Sequence, residues 1–174
     1  MEGTATNKQF GLIIAYVLPG FVALAGLAPL FPTVARWLHP VEPGFGPPLY
    51  AVLGAMALGQ ILSCFRWLVL DHLHFLTGVR RPHWDDSLLD ARLKGFDYLV
   101  QHHYRYYEFT GNTLIALLIT YVLNRLFGTL SFLGFGTDLG MLVVIAVLFA
   151  ASRDALAKYY GRTGRLVGAI AEKE

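Results

Sequence analysis

The side chains best suited to chemistry in this chain form one block, His102-His103-Tyr104-Arg105-Tyr106-Tyr107, with Arg80 and Arg81 upstream of it. Aromatic rings can stack on flat groups and guanidinium groups can meet phosphate. The block therefore reads as a site for an anionic nucleotide, an oligonucleotide or a lipid headgroup. The same residues equally suit the aromatic belt of a membrane interface, with Arg105 snorkelling to water. A second group, Asp71, His72, His74, His83, Asp85 and Asp86, carries metal-binding side chains. His72 and His74 are two apart, however, and face different ways on a helix. No HExxH or comparable spacing occurs, so no metal site is assigned, and Asp71 to His74 reads as a helix end at an interface. Gly134-Phe135-Gly136 is uncharged and makes no phosphate loop. Without a serine nucleophile elbow or a paired-carboxylate site, the expectation is a protein that is not an enzyme and carries no cofactor.

The elements that would position these groups are apolar. The chain is 55% hydrophobic and 15% charged, with a mean hydropathy of +0.50. Soluble domains run at about 45–50% and about 25%, so the excess points to a lipid bilayer. A span needs roughly 20 apolar residues. Phe10 to Phe31 supplies the first, with a kink expected at Pro19-Gly20, and the length of its apolar run argues for a retained span rather than a signal peptide. Leu49 to Leu70 supplies the second, with Arg66 snorkelling from its end. Thr113 to Phe127, extended back through Tyr106, makes the third. Leu139 to Ala151 is too short for a fourth unless Ser131 to Asp138 or the following residues extend it. Pro32 to Pro48 holds five of the eight prolines and is expected as a stiff extended loop. The link from Gly128 to Thr137 is short, glycine-rich and uncharged. Cys64, the only cysteine, lies in an apolar run and reads as a small buried residue.

The predicted fold class is all-α: a polytopic membrane protein of four transmembrane helices, with a helical cytoplasmic extension of the third span. Residues 1–174 form one domain, with 71–110 a cytoplasmic stalk and 152–174 a cytoplasmic tail. Of fourteen lysines and arginines, only Arg36 and Arg125 fall on the opposite side. That bias puts both termini in the cytoplasm and the chain in the cell inner membrane. In the stalk, Leu89, Leu93, Phe96, Val100, His103 and Tyr107 recur four and three apart, the seam of a helix that needs a partner. The fourth span's end, the tail or another subunit could supply it. Asp90, Lys94, Asp97, Gln101, Arg105 and Glu108 form a solvated stripe opposite, and Gly95 and Gly111 are places where the helix could bend. Ala51, Ala55, Gly59 and Ser63 on the second span, and Gly11, Ala15, Pro19 and Ala23 on the first, make small-residue stripes for close helix packing within or between subunits. Gln60, Asn112, Asn124 and Asp138 are intramembrane polar residues that face a bundle interior or a pore, Asp138 alternatively capping the fourth helix beside Arg125.

YVLPGF, RWLVLDHLH, GVRRPHWD and HHYRYYEFTGN, spread over most of residues 10 to 117, resemble a pattern of uncharacterised prokaryotic four-span membrane proteins. More loosely, the layout is similar to small membrane effectors and sensors of antiphage defence. That resemblance implies a homo-oligomer forming an ion-conducting or membrane-perturbing pore, gated by a nucleotide or nucleic-acid signal. The alternative is a non-conducting scaffold or sensor that recruits a cytoplasmic protein partner.

Overall fold

The computed structural model describes residues 11–41, 44–84, 86–127 and 134–168. Phe10, Lys8, Pro43, Asp85, most of the Gly128 to Thr137 link and the last residues of the tail, Lys173 among them, lie outside the described residues. The fold is all-helical. Five helices carry it: α1 (Ile13–Leu27), α2 (Pro32–Leu38), α3 (Gly46–Leu76), α4 (93–127) and α5 (Phe135–Val167). Two of these, α3 and α5, are long and apolar enough to cross a membrane.

The proline-rich segment is helical at both ends, and only the part around Pro40 stays non-helical among the described residues. Pro32 opens α2, and Pro47 and Pro48 occupy the first turn of α3. A helix leaves its first N–H groups unbonded, so proline's missing donor is harmless there and its fixed φ favours the turn. Trp37 of α2 then stacks toward Tyr50 of α3, ring centroids 6.0 Å apart.

The four long helices alternate in direction. A Cβ on Gly20 would fall 1.8 Å from the Ala55 carbonyl oxygen, and one on Gly59 would fall 2.2 Å from that of Tyr16. These two crossings put α1 and α3 backbone to backbone and antiparallel. Ala51, Ala55 and Gly59 are buried in this contact, with Ser63 half-buried beside it, so the α3 stripe is used within one chain. α4 runs parallel to α1, since Asn112 reaches Ala15 and Asn124 reaches Gly26. α5 returns antiparallel to α4, joined by Tyr121 to Asp138 at one end and Tyr104 to Tyr159 at the other.

The stalk finds its partner in α5, the continuation of the expected fourth span. Val79, Leu99, Tyr107, Ala155, Leu156 and Tyr159 form one buried cluster, with Phe96, Val100 and Tyr104 packed on it. The expected seam begins at Leu89, but the helix starts at Leu93, after two short 3-10 turns, Asp86–Leu88 and Asp90–Arg92. A π turn at Val100–Tyr104 inserts one extra residue. The seam therefore passes from Val100 to Tyr104 rather than to His103, and Leu93 stays 56% exposed. Gly95 and Gly111 lie in regular helix; each admits a neighbour, the Leu166 side chain at 3.2 Å and Arg66 Cδ at 2.8 Å from where a Cβ would be.

The outward faces of α3 and of the first half of α5 are mostly apolar. Of the eighteen most apolar residues of α5, 6% are buried, and of those of α3, 22%. Leu142, Val143, Val147, Leu53, Met56 and Leu68 are all exposed. Water does not tolerate so large a contiguous apolar surface on a free monomer.

The glycine crossings generate a paired prediction. Gly59→Val lowers stability by about 1–3 kcal/mol through overpacking, read as a fall in melting temperature in mild detergent. Gly140→Ala, at a helical glycine with nothing within 4 Å of a new Cβ, leaves stability unchanged or raises it by up to about 1 kcal/mol. Equal behaviour of the two variants would refute the backbone-to-backbone packing.

Candidate functional site

The level where α1, α3 and α4 meet is polar. Arg66, read from sequence as snorkelling, is instead buried at 4% exposure. Seven residues beyond Gly59, it lies on the same inward face of α3. Its Nε donates to Asn112 Oδ1 at 3.2 Å and its Nη2 to Ser63 Oγ at 3.3 Å. Its guanidinium lies 4.7 Å from the Tyr107 ring centroid. Asp71 Oδ1 stands 3.7 Å from Nη1, and Glu108 Oε1 stands 3.9 Å from Nη2. Glu108, itself buried, also accepts from Tyr16 at 2.7 Å and from Arg105 at 2.6 Å. Tyr107 donates its hydroxyl to Asp71. Two arginines and two carboxylates thus form a formally neutral set, completed by two tyrosines and an asparagine. Isolated charges would be prohibitive here, and the set is stable because each is paired and hydrogen-bonded.

His74 extends the polar level to α5. It is fully buried, and Ser152 Oγ lies 3.0 Å from its Nε2. Because Ser152 donates its one proton to the Phe149 carbonyl at 2.9 Å, it accepts from His74. The ring therefore carries its proton on Nε2, and Nδ1 is left without a partner. Arg153 closes the same corner by donating to the Thr77 carbonyl at 2.7 Å.

The expected anion site is distributed over three faces. Tyr104 and Tyr107 turn into the core beside Tyr159. His103 faces α5, where Arg162 Nη1 donates to its Nε2 at 2.7 Å. His102, stacked on Tyr98 with centroids 4.0 Å apart, lines an open cleft of about 370 Å³ with Gln101, Arg105, Tyr106, Phe109, Gly11 and Ile14. Arg80 and Arg81 join none of these. Arg80 lies over Phe75 and lines a separate cleft with Arg153 and Tyr160, while Arg81 lies over Trp84. Only His102, Arg105 and Tyr106 of the block therefore share a surface.

The polar residues expected within the membrane also separate. Asn112 and Asn124 are buried and hold α1 by its carbonyls; Asn112 Nδ2 donates to Ala15 at 2.8 Å. Pro19 has no N–H to offer the carbonyl four residues before it, so Asn112 replaces the missing donor. Asp138 lies in the first turn of α5, accepting from Arg125 at 2.9 Å and from Tyr121. Gln60 alone points outward. His72 is exposed while His74 is buried, and among the described residues no three histidines, cysteines or carboxylates gather to hold a metal. Cys64 is exposed on α3, not buried.

The sequence reasoning missed Tyr16, Glu108 and Ser152. For Glu108 the signal was available: Glu108, Asn112, Ala116, Thr120 and Asn124 recur every four residues and are all buried. No protein-family model, curated protein or solved structure matches this chain.

Two outcomes follow. Glu108→Ala leaves Arg66 and Arg105 short of a counter-charge and lowers stability by about 3–5 kcal/mol, read as a melting shift in detergent; a shift below about 1 kcal/mol would show the network to be dispensable. Burial first, and the Arg162 guanidinium next, push the His103 imidazole below its ordinary range, with His102 and Lys158 adding to the effect and Asp154 opposing it. Only the neutral ring accepts from Arg162. That contribution is therefore present above the ordinary histidine value of about 6.5 and is lost as pH falls through the folded value. Wild type loses more melting temperature on acidification than His103→Phe, and parallel curves would contradict this.

Proposed function

We propose that the chain is a four-span membrane protein acting as a non-conducting sensor or scaffold, with the clustered basic ends of α4 and α5 in the cytoplasm. The observation that carries the reading is the division of its surface. α3 and α5 present apolar side chains outward, while Arg66, Asp71, Arg105 and Glu108 are closed on one another inside a single chain. A bilayer accepts that arrangement because the buried charges are paired with one another and the outward side chains of the two long helices are mostly hydrocarbon. α1 and α4 complete the four spans; in α4, Glu108, Asn112, Thr120 and Asn124 turn inward, which lowers its hydropathy while keeping these groups from lipid. The orientation, both termini inside the inner membrane, rests on Arg80, Arg81, Arg92, Lys94, Arg153 and Arg165 at the end opposite Arg36 and Arg125.

The sensing site is the cleft of Gln101, His102, Arg105 and Tyr106. Arg105 spends one nitrogen on Glu108, and its Nε has no hydrogen-bond partner. Ile14 and Phe109 give the cleft an apolar floor. Its ligand is an anion with an apolar or flat body, a lipid headgroup or a nucleotide, and occupancy is relayed to a cytoplasmic partner protein through the α4–α5 pair.

The second reading is an ion-conducting or membrane-perturbing homo-oligomer in antiphage defence. Gln60 favours it, as the outward polar side chain in the middle of α3.

Reconstituted liposomes separate the two. The sensor reading predicts liposomes that stay sealed to ions, and a melting temperature that rises with short-chain anionic phospholipid or with a nucleotide but not with a zwitterionic lipid. Arg105→Ala abolishes the rise. Ligand-dependent ion flux would establish the pore, and a thermal response indifferent to both anions would remove the sensing cleft.

A further inference from the structure

The outward face of α3 carries one feature that lipid cannot satisfy. Leu53, Ala57, Gln60 and Cys64 follow one another at spacings of four, three and four, opposite the buried row Ala51, Ala55, Gly59 and Leu62. All four are exposed, and that heptad spacing is the seam of a left-handed helix pair. Gln60 lies in the middle of α3, and its exposed side chain has no hydrogen-bond partner among the described residues. On the membrane reading above, its amide, with two donors and an acceptor, is left in hydrocarbon.

We infer that this face is the contact between two copies of the chain, packed α3 against α3 about a two-fold axis with the Gln60 amides bonded to each other. The argument for a second copy is the chemistry of the amide. A carboxamide is self-complementary, its carbonyl accepting from the N–H of an identical group. A two-fold axis brings identical residues together without any other matched surface. The flanking seam also fits, because Ala57 is small enough for the helices to approach until the amides meet. A foreign helix would have to supply a polar group at one matching depth.

Cys64, one turn from Gln60 on the same seam, is a built-in reporter. Two thiols facing across the axis, treated in native membranes with copper phenanthroline and oxygen, lose two protons and two electrons to oxygen and form one disulfide. The expected product is an adduct of twice 19.3 kDa that disappears on reduction. Gln60→Leu lowers its yield several-fold and Gln60→Asn preserves it. The Gln60 side chain is exposed, so an unchanged melting temperature verifies that the Leu variant is folded. A control chain with Cys64→Ser and Val143→Cys, exposed on α5 instead, stays monomeric. The inference is overturned by a Cys64 chain that remains monomeric, by equal cross-linking of the Val143→Cys control, by a yield indifferent to Gln60→Leu, or by an adduct of another mass. A chain released from membranes by alkaline carbonate would instead overturn the membrane reading, a separate failure.

Discussion

Arg66 is the constraint around which the helices are arranged. A guanidinium at 4% exposure is stable in an apolar bundle only if acceptors surround it on several sides. α3 supplies Ser63 and Asp71, α4 supplies Asn112 and Glu108, and α1 joins through Tyr16 on Glu108. Moving any one of these helices along its axis would leave a charge short of partners. On the proposed membrane reading the helices have little else to fix their register, because hydrocarbon is as good a neighbour as leucine. The ionic level specifies which residues meet, and the glycine crossings then set how closely.

The wide π turns fall at this level. Ile13–Val17, Arg66–Leu70 and Val100–Tyr104 each insert a residue beside a member of the network. In α4 the insertion turns Tyr104 toward Tyr159 and leaves Arg105 and Glu108 facing α1. In α1 it precedes Pro19, whose missing donor Asn112 replaces. Local departures from regular helix thus recur where side chains must be aimed, which is where such turns concentrate in helical proteins. Below this level, the α4–α5 pair is held by an aromatic cluster of Phe96, Tyr104, Tyr107 and Tyr159. Arg92 closes its end by donating to the Leu166 carbonyl.

Much of the architecture was legible from hydropathy. The helices, the internal small-residue row and an α5 continuation as one possible partner for the stalk all follow from spacing. Other features depended on depth and direction, which a one-dimensional pattern hides. Arg66 near the end of an apolar run looks the same whether it reaches for water or turns inward. Glu108 fits a solvated stripe by its spacing from Arg105, and a buried row by its spacing from Asn112, and only tertiary packing decides between them. Proline in a loop and proline in a first helical turn are likewise identical in sequence. The anion block divided because six consecutive helical residues must point all round the helix, so no single face could hold them.

On the proposed membrane reading, one uninterrupted helix, α5, passes from hydrocarbon to water. Collision accessibility of a nitroxide label on Val143→Cys or Lys158→Cys, each in a Cys64→Ser chain reconstituted in vesicles, tests this most directly. The label at 143 is expected to relax with oxygen and ignore a water-soluble nickel complex, and the label at 158 to do the reverse. A label at 143 that meets the nickel complex as freely as one at 158 would contradict it.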